Sequence, residues 1–219
     1  MINAERIARD VICIGMSAGG VEAIMRLVAL FPQDLPAAVA FVIHRSPLHE
    51  SNLPSLLNRR SRLPVSEPVD GEPVARGRIY AAPRDQHMLV DDGLIRLCRG
   101  AKEHRTRPAI DPLFRSAAAT CGRRVVGVLL SGAGDDGVAG LIAIKAAAGV
   151  SLVQDPAEAR HPTMPRTAIA EDDVDAVLTI ESLARAIRAL AAGEPFEPPA
   201  RSEQRPLPGR GSCPGREVS

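Results

Sequence analysis

Apolar, largely β-branched runs alternate along the chain with stretches whose apolar positions recur at helical spacing. The first run, residues 11–14, is β-branched apart from Cys13, and residues 21–28 then repeat apolar side chains as an amphipathic helix would. A second run covers residues 38–43 and a third residues 125–130, the latter followed by a helical pattern over 138–148. Further on, the pattern predicts strands over 150–153 and 174–179, with helices over 165–170 and 182–192. Continuous rather than alternating apolar runs mark strands covered on both faces, which is the condition of a parallel sheet. The expected fold is therefore α/β: a three-layer, mostly parallel, doubly wound, Rossmann-like sheet.

Between residues 46 and 100 this rhythm breaks. Residues 51–58 predict a short helix, and Pro64, Pro68, Pro73 and Gly77 then punctuate short extended pieces. Asp92-Gly93 sits between 87–90 and 94–97 as the turn of a hairpin. This region is expected to be an insertion that forms one wall of a cleft, before a helix over 111–120. The domain is read as residues 1–192. Beyond it Pro, Gly and Arg accumulate, so 193–219 is expected to be a disordered tail able to tether a partner.

The chemistry lies where strands end. Ile14-Gly15-Met16-Ser17-Ala18-Gly19-Gly20 reads as G-x-S-x-G between a strand and a helix, with backbone N–H groups at the helix start facing the serine. A dinucleotide site would place glycine at position 17 and an acid after the second strand, but Ser17 stands there and no acid follows until Glu50. The second strand ends in His44, and the third leads into Ser131-Gly132-Ala133-Gly134-Asp135-Asp136-Gly137. Strand ends of an open parallel sheet share one crevice, so Ser17, His44 and Asp136 can meet as nucleophile, general base and orienter of that base. The competing structural readings are a turn or N-cap serine and a helix-capping aspartate. They do not account for a titratable His44 at the end of an apolar strand, which needs a partner if buried.

Ordered blocks over residues 11–180 resemble the catalytic domain of the chemotaxis protein-glutamate methylesterases (CheB). They are residues 14–20, Ile43-His44, Ile79-Tyr80-Ala81-Ala82-Pro83 with Asp85 and His87, residues 107–114, residues 132–140, Gln154-Asp155-Pro156 and residues 164–169. The resemblance implies Ser17, His44 and Asp136 as catalytic, with Asp135 a helix-start residue. It implies an oxyanion site lined by Ala18 and Gly19 and by Ala133 and Gly134. It also implies hydrolysis of glutamate methyl esters on cytoplasmic helices of chemoreceptors, and glutamine deamidation as a related acyl transfer. Ala18 and Ala133 stand where the family commonly has threonine and methionine. The family's usual receiver domain would precede the esterase domain, and only about ten residues precede the first strand here. A stand-alone esterase is expected, dependent on a separate receiver or chemosensory kinase.

Composition fits such an enzyme: 219 residues, 45% hydrophobic, with a formal net charge of +1. Near-neutral charge, no Trp and a single Tyr exclude a polyanion or base-stacking surface, so no nucleic-acid partner is expected. No segment reads as a membrane span or secretory leader, giving a cytoplasmic expectation. Four cysteines without C-x-x-C pairing, and histidines at 49, 87, 104 and 161 without ligand spacing, predict no metal, and no cofactor is expected. Cys13 is expected in the core and His87 in a structural or site-lining loop. Arg45, Arg105 and Arg107 are candidates to face an acidic protein substrate. Two alternatives remain at this level: a small-ester α/β-hydrolase with His161 as base, and a docking module without turnover.

Overall fold

The structure, a computed structural model, describes residues 7–44 and 52–196. Seven strands form one parallel sheet: β1 (Val11–Met16), β2 (Ala38–Ile43), β3 (Val65–Ser66), β4 (Ile79–Ala81), β7 (Val125–Leu129), β8 (Val150–Gln154) and β9 (Ala176–Leu178). Their order is β3-β4-β2-β1-β7-β8-β9, so β1 is flanked by β2 and β7 and the winding reverses at β1. Strands β1, β2, β7 and β8 are buried along their whole length, which explains why they read as unbroken apolar runs.

Within β1 the side chains divide by parity. Ile12, Ile14 and Met16 join the core beneath α1 (Gly20–Ala29), α2 (Leu53–Asn58) and α6 (Ile180–Ala191). Val11 and Cys13 join the opposite core, beneath α3 (Ile110–Cys121), α4 (Val138–Ala146) and α5 (Thr163–Glu171). Period-two alternation on a strand with two apolar faces thus generates the three layers. Helix α1 shows the complementary stripe, burying Ala23, Ile24, Leu27 and Val28 and exposing Glu22 and Arg26 at the surface side.

The irregular middle is part sheet and part cover. Strands β3 and β4 extend the main sheet in parallel beyond β2, which corrects the reading of this whole region as an insertion. With two and three residues among prolines, they carry too little pattern to be recognised. The expected hairpin is present as β5 (His87–Asp91) and β6 (Leu94–Cys98), a separate antiparallel pair. It packs on α3, where Val90 N–H donates to Ser116 Oγ. Helix boundaries differ from expectation by one or two residues, since α6 begins at Ile180 behind its Thr179 cap and α5 begins at Thr163.

Just past residue 192, Glu194 N–H donates to Ala189 C=O and Phe196 packs on the core. The remainder of the expected tail, 197–219, lies outside the described residues, as do Arg45, His49 and the start of the helix expected over 51–58. No helix among the described residues is long and apolar enough to cross a membrane.

Candidate active site

Ser17, His44 and Asp136 come together at the point where the sheet winding reverses. Ser17 follows β1, His44 follows β2, and Asp136 closes the loop after β7. His44 Nδ1 is 3.2 Å from Ser17 Oγ and His44 Nε2 is 2.7 Å from Asp136 Oδ2. This orientation sets the tautomer. Nε2–H donates to the carboxylate, leaving Nδ1 free to accept the serine proton. Ser17 is partly exposed, His44 retains 15% side-chain exposure and Asp136 only 2%, so the chain of contacts runs from solvent into the core.

The capping readings fail on geometry. The residue that starts α1 is Gly19, in the left-handed region at φ 74°, and no side chain caps that helix, so the Ser17 hydroxyl is left for His44. Asp136 does not cap the helix that follows it. Its Oδ2 accepts from Ile110 N–H at 2.8 Å and its Oδ1 from Asp111 N–H at 3.0 Å, at the N-terminus of α3. Asp111 returns the interaction, its Oδ1 accepting from Gly137 and Gly140 N–H at the start of α4. Two helices therefore exchange carboxylates at their positive ends. Gly15 permits this approach: a Cβ there would lie 2.3 Å from Ile110 Cγ2.

Burial alone would push Asp136 up. Its hydrogen bonds to His44, Ile110 and Asp111 outweigh burial and hold the carboxyl below the ordinary range, ionised and able to orient His44. Asp111 goes the other way, raised by burial and by the neighbouring Asp136 charge against its bonds to Gly140 and His104.

The nucleophile turn is braced by a residue the sequence reading passed over. Ser131 C=O accepts Ser17 N–H at 3.0 Å, and its Oγ donates to Ala18 C=O and accepts from His161 N–H, both at 2.9 Å. Gln154 Oε1 holds Ser131 N–H in turn. With Ser17 N–H committed, the amide after the nucleophile, Ala18, is the natural oxyanion donor of the turn. The loop bearing Ala133 and Gly134 runs beside it: a Cβ on Gly132 would lie 3.1 Å from Ser17 Cβ, and Ala133 and Gly134 are exposed. Thr106 was also missed; its Oγ1 lies 3.4 Å from His44 Nε2.

Other expectations resolve here. His161 contributes backbone bonds to Ser131 and Gly132, while the imidazole on Ser17 Oγ is that of His44, against the alternative with His161 as base. His87 is structural: buried, with Nε2 on Ala101 C=O and Nδ1 accepting from Ala109 N–H. Arg107 is engaged within the protein: its guanidinium binds Asp85 Oδ1 and the carbonyls of Arg99 and Gly100. Arg105 is exposed and Cys13 is buried in the core, as expected. His104, Asp111 and Asp136 approach one another closely, but hydrogen bonds among themselves and to helix N–H groups account for that grouping.

A parallel α/β sheet with a serine, an imidazole and a carboxylate in sequence at its switch point has the form of a serine hydrolase. Comparison with known proteins makes the class specific. The family model for CheB methylesterase matches residues 12–187, and the chain belongs to that family. It is 40% identical over 181 residues to protein-glutamate methylesterase/protein-glutamine glutaminase 2 of Anaeromyxobacter dehalogenans, covering 83% of this chain and 53% of that one. A relative of the same activity name from Symbiobacterium thermophilum is 36% identical over 191 residues, covering 86% and 53%. The chain thus spans about half the length of the curated relatives it matches. The crystal structure of the Thermotoga maritima CheB methylesterase catalytic domain superposes with a TM-score of 0.79 at 29% identity, covering 84% of this chain and all of that one.

Proposed function

We propose that this chain hydrolyses γ-methyl esters of glutamate on the cytoplasmic helices of chemoreceptors, and deamidates glutamine side chains there by the same route. The observation that carries the reading is the Ser17–His44–Asp136 hydrogen-bond chain at the switch point of a CheB-family sheet. Ser17 Oγ attacks the ester carbonyl carbon while its proton passes to His44 Nδ1. Asp136 holds the opposite ring nitrogen and stabilises the imidazolium. Ala18 N–H, with the Ala133–Gly134 loop alongside, receives the negative charge that develops on the carbonyl oxygen. The tetrahedral intermediate collapses, methoxide takes the proton from His44 and leaves as methanol, and a glutamyl ester of Ser17 remains. Water then attacks that ester, with His44 accepting its proton and passing it to Ser17 Oγ as the acyl bond breaks, which restores Ser17 and leaves the receptor's glutamate side chain as a free carboxylate. In deamidation the leaving group is ammonia. General-base transfer of this kind contributes roughly 10²- to 10⁴-fold.

The surface beside the nucleophile suits a protein substrate rather than an enclosed small ester. A groove of about 700 Å³ opens next to Gly19, with Val21, Met25, Ala29 and Leu30 along it and Glu22, Arg26, Arg60 and Arg160 around it. Apolar residues with charges of both signs match an amphipathic helix carrying acidic positions. Reaction in the cytoplasm, where such helices lie, follows from this reading.

Methanol release from methylated receptor cytoplasmic fragments is the test, with Ser17→Ala alongside. Release by the unmutated chain and loss in the variant are expected. Receptor binding that survives in both, with no methanol from either, would make the chain a docking module and overturn the esterase reading.

A further inference from the structure

We propose that His104 is a positioning residue for the triad: its imidazole ties Asp111 to Asp135 and thereby fixes the loop that presents Asp136 to His44. The proposal rests on the esterase reading for its substrate but not for its geometry. His104 Nε2 lies 2.9 Å from Asp111 Oδ2 and Nδ1 lies 3.2 Å from Asp135 Oδ1. Nε2 is also 3.9 Å from Asp136 Oδ1. Both ring nitrogens therefore face carboxylate oxygens, and only the imidazolium can donate from both at once. A neutral ring would satisfy one and leave the other opposite a lone pair.

The position explains why a cation is needed there. Asp111 and Asp136 are both buried, each 2% exposed at the side chain, and they meet at the paired N-termini of α3 and α4. Helix N–H groups take three oxygens of the two carboxylates, those of Asp136 and Oδ1 of Asp111. Asp111 Oδ2 is left for His104, with Arg115 Nη1 farther away at 3.9 Å. Arg115 is itself committed to Glu103, on the same loop as His104. The groups around the imidazole are thus Asp111 and Arg115 from α3, Asp135 and Asp136 from the loop before α4, and Glu103, Arg105 and Thr106 from its own loop.

That loop is held in an uncommon path. His104 and Arg105 both take positive φ, 46° and 63°, a region that residues with a Cβ seldom occupy. Arg107 anchors one end of the segment through Asp85, and His104 anchors its middle to the two carboxylates. Thr106, two residues on, touches His44 Nε2, so the same loop reaches the base directly. Burial opposes charge on His104, but Asp136, Asp111 and Asp135 outweigh it and raise its pKa, keeping it cationic over a wider pH range.

Loss of the His104 proton at alkaline pH should release Asp135 and leave Asp111 and Asp136 facing each other without their cation. The reaction then acquires an alkaline limb that the Ser17–His44–Asp136 set alone does not supply. The test is the pH dependence of the second-order rate at which a fluorophosphonate labels Ser17 in the full chain. This readout needs no receptor, so failure of the substrate assignment leaves it intact. For the unmutated chain a bell-shaped profile is expected. His104→Gln, which keeps one donor but does not titrate, should lower the plateau about 10-fold, the low end of what losing a partner that orients a metal ligand costs, and abolish the alkaline limb. Asp135→Asn, at an exposed side chain that leaves the core untouched, should weaken the limb and move it to lower pH. An unchanged rate and profile in both variants would overturn the proposal. So would a lower melting temperature in His104→Gln with the profile shape preserved, since that is the mark of a structural role alone.

Discussion

At the scale of the residue, the site is decided by which polar groups have been spent elsewhere. Ser17 keeps its hydroxyl because Gly19 starts the helix, and Asp136 is ionised because three donors surround it. Asp136→Asn should therefore do two things. It should lower kcat by about 10⁴-fold, the scale found when a triad aspartate becomes an amide, and it should lower the melting temperature because an amide cannot satisfy all three donors. Ser17→Ala should abolish turnover with the melting temperature nearly unchanged, so activity and thermal unfolding measured together separate the two roles. Gly132→Ala is a sharper probe of the oxyanion side. Its Cβ would meet Met164 Sδ at 2.7 Å and Ser17 Cβ at 3.1 Å. The flexible thioether can yield and the nucleophile cannot, so a loss of at least about 10-fold in kcat is expected, with stability reduced toward the low end of about 1–3 kcal/mol. Retained activity in this variant would show that the 132–134 loop does not set the nucleophile's position.

The three candidate catalytic residues were legible because each follows a fully buried strand, Ser17 and His44 directly and Asp136 at the end of the short Gly-rich loop after β7, and strand ends are where a period and a polar residue collide in the sequence. His104, Thr106 and Asp111 carried no such signal. His104 and Thr106 reach the site from a loop, and Asp111 from the first turn of α3 just after it; the loop's path is set by Arg107 on Asp85 and by His87 on Ala101 and Ala109, contacts made across 22 residues or less by side chains that the sequence could equally have left in solvent. Ser131 was quoted as part of a turn, but its bracing of Ser17 depends on β1 and β7 being neighbours.

At the scale of elements, the unit that supports the site is the α3–α4 pair. Asp111→Ala would leave the buried N–H groups of Gly137 and Gly140 without their acceptor, costing about 1–3 kcal/mol and loosening α4 behind Asp136. Urea unfolding measures the first effect, and hydrogen exchange confined to the 137–141 amides the second. Close packing matters as much as polarity here, since a Cβ on Gly140 would lie 2.4 Å from Phe114 Cβ. The helices themselves were expected from spacing. Their mutual carboxylate exchange was not, because a helix N-terminus shows what it needs but not which distant side chain supplies it.

For the whole molecule, charge placement predicts how stability depends on pH. Asp10 is buried, which alone would raise its pKa, but Arg124 and Arg76 outweigh burial and hold it low; Asp136 is held low as well. A depressed carboxylate contributes stability that is present above its unfolded value and lost as pH falls through the folded one. Acid unfolding should therefore steepen below about pH 4, and Asp10→Asn should reduce that acid dependence in urea titrations at successive pH values. His104 acts with the opposite sign: its raised pKa gives stability that is complete below the unfolded value and lost as pH rises through the folded one. Together these groups place the most stable range between the two. The overall architecture was legible from the central strands, whereas the far edge, β3 and β4, was hidden by its brevity.

The central claim is that Ser17 becomes covalently acylated by a glutamate side chain. Rapid acid quenching of the enzyme mixed with a methylated receptor fragment, followed by peptide mapping in a mass spectrometer, tests it directly. The account predicts a glutamyl ester on Ser17, equal in mass to the Ser17 peptide plus the methylated receptor peptide less methanol and absent in Ser17→Ala. An ester on another residue, or undiminished methanol release by Ser17→Ala, would contradict it.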